Sequence, residues 1–129
     1  MELAVLVVPL LFVTVLLIGA GRVAIAGGAV EHATTDAARQ ASLARTPTAA
    51  RAAAEQTART TLAEQHLQCR HITVTVDLSG FTAPPGQPAQ VAVEVTCLVR
   101  LTDLGLPGLG DRTLADRFAS PLDPYRGWQ

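Results

Sequence analysis

The stretch "HLQCRH" gathers His66, Cys69 and His71 within six residues, and a second cysteine, Cys97, follows 28 positions after Cys69. Thiolate and imidazole are ligands that suit zinc, so His66, Cys69 and His71 form a candidate metal set, with Cys97 within reach across a sheet. The spacing matches none of the usual paired-ligand patterns, which makes the set a weak one. The favoured alternative is a disulfide between Cys69 and Cys97, with both histidines exposed, as befits a domain in an oxidising compartment. Free thiols are the third reading. Closing a loop of that size stabilises a small domain by roughly 3 kcal/mol. The bond has one geometric requirement. Cys97 is in phase with the inward residues of its strand, whereas Cys69 is out of phase with Ile72, so Cys69 must precede the strand and lie in the turn leading to it.

A second residue with chemical potential is Glu2, which opens "MELAVLVVPLLFVTVLLIGAGR". A carboxylate at the edge of lipid is costly unless paired or solvated, and such residues are candidates for function. Solvation among headgroups is the plain alternative. Other chemistry is sparse. There is no glycine-rich loop between strand and helix, no HExxH and no GxSxG, and the histidines have no nucleophile to serve. No enzyme activity, cofactor or small-molecule substrate is therefore expected. The formal net charge of −1 gives no clustered positive surface for nucleic acid. The only Tyr and Trp, Tyr125 and Trp128, stand in "PLDPYRGWQ" and could contact a partner or lid a small core.

These residues need elements to hold them. From Leu3 to Gly21 no charge interrupts the apolar run, which spans about 28 Å as a helix and matches the hydrocarbon thickness of a bilayer. A cleavable signal would be shorter and preceded by Lys or Arg, so a retained transmembrane helix is expected. Pro9 should kink or loosen it. Arg22 is a single positive-inside vote for a cytoplasmic C-terminal side, while paired cysteines vote for the outside, which is preferred.

From Val23 to Arg45 the spacing of Ala26, Val30, Ala33, Ala37, Ala41 and Ala44 predicts a continuing helix with a stripe of small residues. This is either a simple stalk or a rod that bundles with its own kind. Asp36 and Arg39 can pair in solvent. Thr46 and Pro47 predict an N-cap and first helical position, with a second helix to about Leu67. That helix presents Ala50, Ala53 and Thr57 on one side and a solvated Arg51, Glu55, Arg59 ladder on the other.

Alternation then places Ile72, Val74, Val76 and Leu78 on one face of a strand. Val91, Val93, Val95, Cys97, Val99 and Leu101 do the same for a second. Between them "SGFTAPPGQPAQ" reads as a flexible loop, and a third element with poor alternation falls within "RTLADRFAS". The expected fold is α+β: a transmembrane helix (1–22), an Ala-rich helical stalk broken near Pro47 (23–67) and a small antiparallel sheet of two to three strands (68–129).

The opening "ELAVLVVPLL", the Ala-rich continuation and the closing "LPGLGDRTLADRFASPLDPYR" resemble TadE-like proteins, pilin-related components of tight-adherence (Flp-type) pilus systems. The resemblance covers nearly the whole chain. It rests mainly on the acid–apolar–proline start and the Pro-x-Asp-x-Tyr-Arg ending. It implies a pilin-like fold and a single-pass membrane protein with its C-terminal domain extracytoplasmic. It also implies assembly roles for Glu2 and Pro9, and partners among other pilin-like subunits, the pilus assembly and secretion machinery and the lipid bilayer. The family pattern places a short basic leader and a small residue before the acid, where this chain has Met1. Either translation starts further upstream or this copy is not processed. From a different class, the alternative is a membrane-tethered extracytoplasmic module that binds a ligand or metal.

Overall fold

A computed structural model describes residues 1–105 and 108–124. Helix α1 (Glu2–Leu43) and helix α2 (Pro47–Glu64) precede strands β1 (His71–Asp77), β2 (Ala89–Arg100) and β3 (Asp111–Leu122). Short 3-10 turns, Ser79–Thr82 and Leu101–Leu104, follow β1 and β2. The class is α+β, as the sequence predicts, and the third strand is present.

The 42 residues of α1 form a rod of about 63 Å. Pro9 lies inside it without ending it. Thr14, in the apolar half, donates its hydroxyl to the Leu10 carbonyl at 2.8 Å, so this polar group is satisfied within the helix. The rod has two halves of different character. Leu3 to Ile18 project exposed side chains all round, whereas Ala26, Ala29, Val30, Ala33, Ala37, Ala38 and Ala41 are buried.

The predicted small-residue stripe is therefore real, and its cover comes from within the chain. A three-residue link folds α2 back onto α1, and β2 and β3 cover α1 as well. Ala residues at the contact let the two helix backbones approach closely. The second half of α1 is thus the core helix of a folded head and not a free-standing stalk.

In α2 the Thr46 hydroxyl accepts from the Ala49 amide at 3.2 Å and Pro47 occupies the first turn, as expected. The helix ends at Glu64, earlier than expected. Its buried positions are Ala50, Ala54, Ala58, Thr61 and Leu62, so the inner face lies one residue on from Ala53 and Thr57. Arg51, Glu55 and Arg59 are exposed. Asp36 pairs with His32 at 3.5 Å on α1, in place of the predicted Arg39.

The sheet has order β1-β2-β3 with both pairings antiparallel. Register places Ile72 opposite Cys97, Val74 opposite Val95 and Val76 opposite Val93, so the predicted inner faces coincide. Val91, Val93, Val95, Cys97 and Val99 are fully buried beneath the helices. Leu101, expected to extend that row, instead opens a 3-10 turn and is half-buried. On β3 the same face carries Arg112, Leu114, Asp116, Phe118 and Ser120. Only Ser120 and Leu122 are buried there, and Arg112 and Asp116 interrupt the apolar row, which weakens the alternation. Phe81, read from sequence as part of a flexible loop, is buried in the 3-10 turn after β1 and joins the core.

Candidate functional site

Cys69 and Cys97 form a disulfide with Cα atoms 5.4 Å apart. Cys69 lies in the turn before β1, where the phase argument requires it. This corrects the alternative metal set of His66, Cys69 and His71. A sulfur bonded to Cys97 has no thiolate to offer, and among the described residues no three His, Cys, Asp or Glu side chains converge.

His66 has a structural task. Its φ of 57° is left-handed, its amide donates to the Ala63 carbonyl, and the Leu67 amide donates to the Leu62 carbonyl at 3.1 Å. That is the Schellman arrangement that ends a helix, with His where Gly is usual. Leu67 packs partly buried against the core that holds Leu62. His71 is exposed at the start of β1. No signal except the position of His66 after the last periodic residue of α2 could have revealed this stop.

The outer face of the sheet is polar. Asp77 accepts from the Ser79 amide at 3.0 Å, and this bond, aided by Arg117, holds its carboxyl below the usual carboxylate range. Arg70 and Asp111 pair at 2.7 Å near the start of β1 and β3, tying the two edge strands across the end of β2. Tyr125 and Trp128 lie outside the described residues.

What remains is the first half of α1. It is the one helix among the described residues long and apolar enough to span a membrane. Glu2 occupies its first turn, exposed, where the helix dipole favours a negative charge. Met1 supplies no side-chain cap, and its carbonyl accepts from the Val5 amide at 3.4 Å. Pro9 sits about two turns further on, with neighbouring apolar side chains exposed.

Comparison with family models, with curated proteins and with solved structures gives no match to this chain.

Proposed function

We propose that this chain is a pilin-like, membrane-anchored subunit of a Tad-type pilus or a related secretion apparatus. In this reading it acts through helix–helix assembly and not through catalysis. The observation that carries the reading is the division of α1: one uninterrupted helix is exposed and apolar for its first half and serves as the core of a folded head for its second. Any force or displacement applied to the span passes rigidly into the head, because no linker separates them. The exposed apolar side chains are free to meet lipid or the same segment of another subunit. The disulfide supports an extracytoplasmic head, since such bonds persist in oxidising compartments.

Glu2 then has a function at the lipid edge: its carboxylate meets a positive group, the amino terminus of a neighbouring subunit, as the spans dock. Pro9 removes one helix hydrogen bond in the same segment and lets the span adjust to its neighbours. The partners are other pilin-like subunits, the assembly machinery and the bilayer.

The test is Glu2→Ala in cells that also produce the assembly machinery. Membrane fractionation should show normal insertion, while cysteine cross-linking between copies through Val5→Cys should be lost. Cross-linking of the Glu2→Ala chain at the unaltered level would remove the assembly role.

A further inference from the structure

The geometry points to a second membrane contact: the adjoining ends of β2 and β3, with Leu109, rest on the bilayer surface beside the span and bind its phosphate headgroups. This rests on the reading of α1 as a transmembrane helix. β2 and β3 are each 12 residues long, about 40 Å, close to the roughly 36 Å of α1 from Gly19 to Leu43, and both strands pack on α1. The start of β3 falls at the lipid side of the head.

Three observations place it there. Leu109 and Arg112 share an open groove with Leu16, Gly19, Ala20 and Val23, the last turns of the apolar run. Gly19 is buried, alone among the first 25 residues, so the head makes its first contact with the helix at that level. The Arg22 guanidinium lies beside Gly105, which ends the 3-10 turn in a left-handed conformation (φ +82°).

The chemistry of this end suits an anionic interface. Leu109 is 65% exposed, an apolar side chain presented next to a segment that is itself in lipid. Arg100 and Arg112 are exposed at the adjoining strand ends. Against these two stand Asp103 and Asp111, of which Asp111 is already bonded to Arg70. Guanidinium groups pair with phosphate in forked geometry, and an inserted leucine beside them gives the usual composition of an interfacial anchor. Two points of contact, the span and these strand ends, fix the tilt and rotation of the head on the membrane.

The experiment uses the full chain reconstituted in vesicles of phosphatidylglycerol and phosphatidylcholine. The native cysteines are both in the disulfide, so single introduced cysteines carry an environment-sensitive fluorophore without competition. Labels go at Leu109→Cys, at Val8→Cys inside the span, and at Gln87→Cys, which is exposed at the opposite end of β2, roughly 35 Å away. Nitroxide-bearing lipid should quench Val8 and Leu109, the latter roughly twofold or more beyond Gln87, as for a group within about 5–10 Å of the acyl boundary. Arg112→Glu should reduce quenching at Leu109 in vesicles containing phosphatidylglycerol. Quenching at Val8 with Leu109 as water-exposed as Gln87 would overturn this contact and leave the span intact. An unquenched Val8 would overturn both.

Discussion

Cys69 reaches Cys97 from outside the sheet. In the ladder Cys97 faces Ile72, yet its sulfur is bonded to the residue three positions earlier, in the turn that joins α2 to β1. The bond therefore ties the exit of the helical hairpin to the central strand. By loop-closure entropy it should stabilise the head by about 3–4 kcal/mol. Denaturant unfolding of the detergent-solubilised chain, with and without reductant, measures this. Coincident midpoints would show that the bond contributes nothing.

His66 predicts a gain. An L-residue in the left-handed region carries a cost of about 1–2 kcal/mol, part of which glycine returns through its freer unfolded state. His66→Gly should raise stability by about 0.5–1 kcal/mol and leave the disulfide in place. A loss of stability on this change would mean that the His66 side chain has a role of its own.

Gly80 predicts the opposite. A Cβ there would run into the carbonyl oxygen of Gln90, at the crossing between the 3-10 turn and the start of β2. Backbone cannot yield as a side-chain tip does, so Gly80→Ala should cost about 1–3 kcal/mol. Gly86→Ala separates this clash from glycine's conformational role: its added Cβ meets open space, but its φ of +85° disfavours any side chain. A smaller loss at Gly80 than at Gly86 would contradict the close approach.

Asp77 supplies the pH dependence. Its folded pKa is depressed by the Ser79 amide bond and by Arg117, so its contribution is present above the unfolded value, ordinarily about 3.9, and is lost as pH falls through the folded value. The stability difference between the native chain and Asp77→Asn should therefore be constant near neutral pH and shrink on acidification below about pH 4. A difference that stays constant down to pH 2 would assign it to something other than this carboxylate.

How much of this was legible depended on which residues carried information. Val91, Val93, Val95, Cys97 and Val99 recur at every second position, so the inner face of β2 and the position of Cys69 could be read from the sequence. Thr46–Pro47 likewise announced the start of α2. The phase of α2 could not be read, because Ala stands at Ala52, Ala53 and Ala54 alike and only contact with α1 selects among them. β3 was faint because Arg112 and Asp116 occupy inner-face positions and break the apolar alternation. The site was legible as an apolar run with an acid at its end. The cover over the Ala stripe of α1 was not, since small residues admit a partner from the same chain or another.

That ambiguity gives the last prediction. Ala54 is completely buried in α2, which packs on α1, and shares one core with Ala33, Ala37 and Ala41 of that helix. Leucine is nearly as good a helix former as alanine, so Ala54→Leu leaves propensity almost unchanged and alters only the space between the helices. Overpacking there should cost about 1–3 kcal/mol. Ala52→Leu, on the exposed side of the same helix, should change stability by no more than about 0.5 kcal/mol. Because the contact is within one chain, the loss at Ala54 should be the same at every protein concentration. A loss that grows on dilution would mean that the stripe is shared between copies, and that the head assembles through the face here assigned to its own core.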